Sequence, residues 1–123
     1  MAVNILVVED EPLNRHLLGE SLRTAGYQTT EAKDGQEAAE LLERGPFQLV
    51  IADFVLPKMH GMDLVNLIHT KWPYIPVIVI SGYLSDQAGT LILDGFAEFV
   101  QKPVEPRTLV ASVQRILRDS ILQ

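Results

Sequence analysis

Four short stretches of this sequence carry side chains that can do chemistry together: Glu9-Asp10, Asp53, Ser81 and Lys102. They supply three carboxylates, one hydroxyl and one ammonium. If the fold gathers them, the carboxylates repel one another, and the cluster is costly unless a cation sits among them. The chain has no cysteine and no clustered histidine, so this all-oxygen set suits Mg²⁺ rather than Zn²⁺ or copper. Three carboxylates, one divalent ion and the Lys102 ammonium sum to zero charge. A neutral, oxygen-rich pocket with a spare carboxylate suits phosphoryl transfer, in which a protein mainly positions groups and screens charge on the moving oxygens. Asp53 is then the candidate nucleophile, in the manner of enzymes that form an aspartyl phosphate.

Each group alone has an ordinary explanation. An acid at a strand end caps the next helix, and Glu9-Asp10 can be a turn leading into a helix that opens at Pro12. Ser81-Gly82 reads as a loop, and Lys-Pro is a common dipeptide. The functional reading therefore rests on joint placement, and placement depends on the elements. Five apolar runs stand out: Val3–Val8, Tyr27–Ala32, Gln48–Ala52, Pro76–Ile80 and Phe96–Val100. The third and fourth, "QLVIAD" and "PVIVIS", are β-branched and almost continuously apolar, as expected of strands buried on both faces of a parallel sheet.

Between the runs the spacing turns helical. Pro12 suits a first helical turn, and Leu13, Leu17, Leu18 and Leu22 form one stripe that stops near Gly26. Asp34 and Glu37 make a capping box ahead of Ala38, Leu41 and Leu42, with Gly45-Pro46 as the stop. A third helix carries Met62, Val65, Leu67 and Ile68 and ends before Trp72-Pro73. A fourth is expected around Ser85–Leu93, and a fifth begins at Pro106 with Leu109, Val113, Ile116 and Leu117 on one face. Strand and helix alternate five times, which implies right-handed βαβ crossovers and a parallel sheet covered on both faces. The expected fold is one doubly wound α/β domain over residues 1–123. In such sheets ligands bind beyond the carboxyl ends of the strands. Glu9-Asp10, Asp53 and Ser81 close the first, third and fourth runs, and Lys102-Pro103 follows the fifth.

Bulk properties narrow the partners. With 47% hydrophobic and 21% charged residues, the 123-residue chain reads as globular rather than disordered. A formal net charge of −6 argues against direct nucleic-acid binding, which needs clustered Lys and Arg. The apolar runs are strand-length, well short of the ~20 residues of a membrane span. Glu9 and Asp10 interrupt the first of them, unlike the core of a signal peptide. A cytoplasmic protein acting on other proteins is expected. His16, His60 and His69 are dispersed and read as surface or helix residues, and Trp72 as partly buried packing. Tyr83, Leu84 and Leu91 read as ordinary packing, with a partner surface as the sharper reading.

The segments "ILVVEDEP", "LVIADFVLPKMHGMDL", "VIVISGY" and "FVQKP" together resemble the receiver domain of two-component response regulators, and the resemblance covers essentially the whole chain. It implies the flavodoxin-like strand order 2-1-3-4-5. It also implies that Asp10 binds Mg²⁺ directly, Glu9 mainly through water, and that Asp53 is both phosphoacceptor and metal ligand beside the backbone carbonyl of Val55. Ser81 would hydrogen-bond a phosphoryl oxygen, while Lys102 would pair with another and bridge to Asp53. Phe99 falls where the family keeps an aromatic ring that turns inward on activation. Glu9, Ser81 and Phe99 replace the more frequent aspartate, threonine and tyrosine. Phe99 thus lacks a hydroxyl with which to signal exposure. The implied protein is a regulatory phosphoacceptor with self-phosphorylation and self-dephosphorylation activity. Its donor would be a histidine kinase or histidine phosphotransfer protein. Its signalling face, a possible homodimer surface, would comprise the fourth helix, fifth strand and fifth helix, engaging a downstream protein or effector domain. The need for Lys102 to curl back towards Asp53 predicts a cis Lys102–Pro103 bond.

Two rival classes share parts of the pattern. A haloacid-dehalogenase-like phosphatase also uses a strand-end Asp nucleophile, but needs an acid two residues later, where this chain has Val55. A flavin- or nucleotide-binding module needs a Gly- or hydroxyl-rich loop after the first strand, where "EDEPLN" presents carboxylates. The output stays open: a stand-alone regulator, a phosphorelay shuttle and a receiver from a hybrid kinase or longer regulator all fit.

Overall fold

Among the described residues, the β-branched runs form strands and the helical stripes form helices where their spacing predicts. The computed structural model describes residues 3–56, 58, 59, 61–82 and 97–121. The strands are β1 (Asn4–Val8), β2 (Gln28–Ala32), β3 (Leu49–Asp53), β4 (Val77–Ser81) and β5 (Ala97–Gln101). The helices among the described residues are α1 (Pro12–Thr24), α2 (Gly35–Arg44), α3 (Gly61–Lys71) and α4 (Pro106–Ile121). The helix expected around Ser85–Leu93 lies outside the described residues, as do His60, Tyr83, Leu84 and Leu91. All strand pairs are parallel, and the sheet order is β2-β1-β3-β4-β5.

Because successive strand residues point to opposite faces, each central strand feeds two cores. Leu6 and Val8, Val50 and Ala52, and Val77 and Val79 pack with Ala38 and Leu42 of α2 and with Leu64, Val65 and Ile68 of α3. The alternate residues Ile5 and Val7, Leu49 and Ile51, and Ile78 and Ile80 pack with Leu22 of α1 and with Leu109 and Val113 of α4. Every residue of β3 and β4 is buried, which is why both read as unbroken apolar runs.

Helix ends follow local chemistry. Glu11 caps α1 by accepting from the Asn14 N–H at 2.8 Å, with Pro12 in the first turn. Asp34 caps α2 through the Glu37 N–H at 2.8 Å. The reciprocal Glu37 carboxylate bonds the N–H of Lys33 at 3.0 Å rather than that of Asp34, so the box closes one residue early. The Gly45–Pro46 and Lys102–Pro103 bonds are both cis, the second as expected.

The leucine stripe of α1 is the clearest departure from expectation. Leu22 is buried, but Leu13 is 62% and Leu17 53% exposed. α1 and α4 meet around Leu22, Leu109 and Val113 but leave part of the α1 stripe uncovered. A cleft lined by Leu17, Leu18, Val104 and Val110 runs between them, and Leu17 faces it instead of a neighbouring helix. In α3 the stripe includes Leu64, while Leu67 is only half-buried. Trp72, half-buried at the end of α3, packs on the core as expected.

Candidate functional site

Strand alternation aims the site residues. Val8 and Ala52 face α2 and α3, so the next residues, Glu9 and Asp53, point to the α1–α4 side. Both are buried, whereas Asp10 is exposed. One carboxylate oxygen from each of Glu9, Asp10 and Asp53 lies within 4.8 Å of the others. Lys102 reaches in from beyond β5. Its Nζ donates to Asp53 Oδ2 at 2.6 Å and stands 3.9 Å from Glu9 Oε2. Asp53 Oδ1 accepts the Val55 N–H at 3.1 Å, which folds the start of the β3–α3 loop over the carboxylate. The structure thus brings together Glu9, Asp10, Asp53, Val55 and Lys102. Val55 itself is 60% exposed.

Ser81 ends β4 and is buried, and its carbonyl accepts the Lys102 N–H at 2.7 Å. This bond ties the end of β4 to the residue that carries the lysine. By alternation Ser81 faces the same side as Val79, and Phe99 pairs with Val79 in the ladder. Phe99 is half-buried and packs on the α2–α3 core. Ser81 and Phe99 therefore share one sheet face, opposite to that of Asp53. The histidines take the roles expected where described: His16 and His69 are exposed on α1 and α3.

Electrostatics mark the pocket as short of positive charge. Burial, then the hydrogen bond and negative charge of Asp53, push Glu9 from 4.5 up to about 7, against the opposing Glu11 N–H and Lys102 ammonium. Burial works against the charged form of Lys102, but the bond to Asp53 and the charges of Asp53, Glu9 and Asp10 outweigh it and raise its pKa. Burial and the neighbouring Asp53 thus disfavour the charged form of Glu9, a penalty that a divalent cation would relieve. The donors are hard oxygens, so the residues present fit Mg²⁺.

The sequence reading missed Arg15. Its Nη1 donates to the backbone carbonyl of Glu9 at 2.8 Å, and its Nε lies 3.4 Å from Glu31 Oε1 on β2. A signal existed: a basic side chain one turn into a helix leans back towards the N-terminus, here towards the acidic pair.

Fold and pocket together define a class, the doubly wound α/β module with an acidic strand-end site salt-bridged by lysine. The family model described as "Response regulator receiver domain" matches residues 5–114, and the chain belongs to this family, the receivers of two-component signal transduction. It is 34% identical over 116 residues to the response regulator protein FleR of Pseudomonas aeruginosa, a match covering 94% of this chain and 24% of FleR. It is also 34% identical over 123 residues to the sensor histidine kinase RcsC of Escherichia coli, covering 94% of this chain and 13% of that one. A crystal structure of a CheY-like receiver domain protein from Methanospirillum hungatei superposes with a TM-score of 0.92 at 27% identity, covering 98% of this chain and 97% of that one. The chain spans about a quarter of the length of FleR and of the P. aeruginosa response regulator PilR. No helix among the described residues is long and apolar enough to cross a membrane.

Proposed function

We propose that this receiver is a Mg²⁺-dependent phosphoacceptor switch that takes a phosphoryl group onto Asp53 from a phosphohistidine of a histidine kinase or phosphotransfer protein. The observation that carries this reading is the contact of Lys102 Nζ with Asp53 Oδ2 at 2.6 Å inside a cluster of three carboxylates. In the transfer, an Asp53 carboxylate oxygen forms the bond to phosphorus as the phosphorus–nitrogen bond of the donor breaks. The donor imidazole keeps the electron pair and takes a proton. Mg²⁺ held by Asp10, Asp53 and the Val55 carbonyl, with Glu9 through water, would screen the negative charge of the group in flight. Lys102 releases its hold on the attacking carboxylate and binds a phosphoryl oxygen. Ser81, beside it at the end of β4, hydrogen-bonds another. The domain acts in the cytoplasm, and its altered surface, built from the segment before β5, β5 and α4, meets a downstream protein or effector domain.

The added phosphoryl brings about −2 charge and three acceptor oxygens. Drawing Ser81 towards them empties space on the face it shares with Phe99, and only such a differential contact shifts the population between two states. Brief incubation with a small phosphodonor and Mg²⁺, followed by intact-mass measurement, tests the assignment. A stable adduct is expected on the wild type and none on Asp53→Asn, with chelation abolishing uptake. Undiminished adduct on Asp53→Asn overturns the nucleophile. Catalytic release of phosphate without an adduct overturns the switch in favour of a phosphatase.

A further inference from the structure

Glu9 is held through its N–H, its carbonyl and its carboxylate, and β2 anchors the first two. Its N–H donates to the Ala32 carbonyl at 3.0 Å, and its Oε1 accepts the Glu11 N–H at 3.2 Å. Its carbonyl accepts from Arg15 Nη1 at 2.8 Å. Arg15 in turn rests on Glu31, whose other carboxylate oxygen lies 3.6 Å from Arg23 Nη1. The Arg15 side chain is only 19% exposed, so this is no frayed surface pair. Ala32 and Glu31 are neighbours on β2, so both sides of the Glu9 peptide are pinned to one strand, directly on one side and through a guanidinium on the other.

We propose that Arg15 is a positioning residue for the metal pocket, fixing the Glu9 carboxylate by gripping the Glu9 backbone carbonyl, with Glu31 as its anchor. The proposal rests on the Mg²⁺ reading above. It gains force from a conflict of signs. A guanidinium beside a cation site opposes cation binding by Coulomb repulsion, so on charge alone its removal tightens Mg²⁺ binding. Positioning demands the reverse. A planar fork can serve a carbonyl and a carboxylate at once, and an ammonium on a flexible stem does so poorly.

The test is calorimetric titration of the metal-free full chain with Mg²⁺. Removing partners that orient metal ligands costs about 10- to 100-fold in affinity, and Arg15→Ala is expected near the low end, about tenfold weaker than wild type. Glu31→Gln is expected to weaken binding in the wild-type background and to add nothing in Arg15→Ala. In metal-free protein, exchange of the Glu11 amide, which bonds the Glu9 carboxylate, should quicken in Arg15→Ala. Affinity equal to or tighter than wild type in Arg15→Ala overturns the proposal, as does an equal Glu31→Gln effect in both backgrounds, which marks through-space charge. If Arg15→Ala loses its cooperative thermal transition, Arg15→Lys decides: the charge stays, so weaker binding supports positioning and unchanged affinity overturns it. Failure of the wild type to bind Mg²⁺ overturns the metal reading itself and is seen in that arm alone.

Discussion

Glu9 shows how a single buried carboxyl reports the state of its pocket. In the unfolded chain it ionises near 4.5, but in the metal-free fold only near 7, chiefly through burial and then through Asp53. The folded state therefore keeps a proton that the unfolded state has released. The stability this contributes is fully present below 4.5 and is lost as pH rises through about 7. Mg²⁺ must displace the same proton, so its affinity should be about tenfold weaker at pH 6 than at pH 8. Titration at the two values checks this, and equal affinities would unlink Glu9 from the metal. At this scale the sequence was legible in the gathering of Glu9, Asp10, Asp53 and Lys102, because strand ends on one edge of the sheet bring them together. It was opaque where the role depends on reach, because nothing in the composition of α1 says that Arg15 spans from Glu31 to the Glu9 carbonyl.

Loops beside the site are set by the ends of elements, and there close approach matters more than propensity. Gly61 opens α3 with its N–H on the Phe54 carbonyl at 3.0 Å. A Cβ at that position would lie 2.5 Å from the same carbonyl oxygen and 2.8 Å from the Phe54 Cα. Backbone cannot swing aside as a side-chain tip can, so Gly61→Ala should cost about 2 kcal/mol. It should also loosen Mg²⁺ binding through displacement of the Val55 loop. Urea unfolding and Mg²⁺ titration measure the two effects, and an unchanged urea midpoint would show that the loop yields freely. Helix ends were readable in advance because caps and prolines act locally: Pro12, Asp34, Gly45 and Pro106 all fall where the chain turns. Buried stripes were less so. Leu13 and Leu17 obey helical spacing perfectly well, yet whether a stripe is covered depends on the neighbouring elements, and here a cleft beside α4 leaves Leu17 open.

Across the whole molecule, the two-faced sheet links the pocket to a distant surface. Phe99 shares a face with Ser81, while its neighbour Glu98 points to the other side, where it bonds Ser112 at 3.1 Å and pairs with Arg115 on α4. A shift of β5 driven by Phe99 should therefore register in α4. On binding of a phosphoryl analogue, amide resonances of β5 and of α4 around Ser112 should move along with those of the pocket. Changes confined to residues near Asp53 would refute the coupling. The parallel sheet and its two cores were legible in the apolar, β-branched runs alternating with helices, whereas the strand order followed from the resemblance to receiver domains. The acidic mouth has a further, kinetic consequence. A chain of net charge −6 that displays Asp10 at the entrance surrounds its acceptor with a field that repels anions before they arrive. Small dianionic donors must climb that barrier, and salt lowers it over a Debye length of about 10 Å at 0.1 M. Their rate of reaction at fixed Mg²⁺ should therefore rise with added KCl in stopped-flow measurements. A protein donor with a basic rim should instead be drawn in, and slowed by the same salt, so that ionic strength alone separates delivery by collision from delivery by attraction.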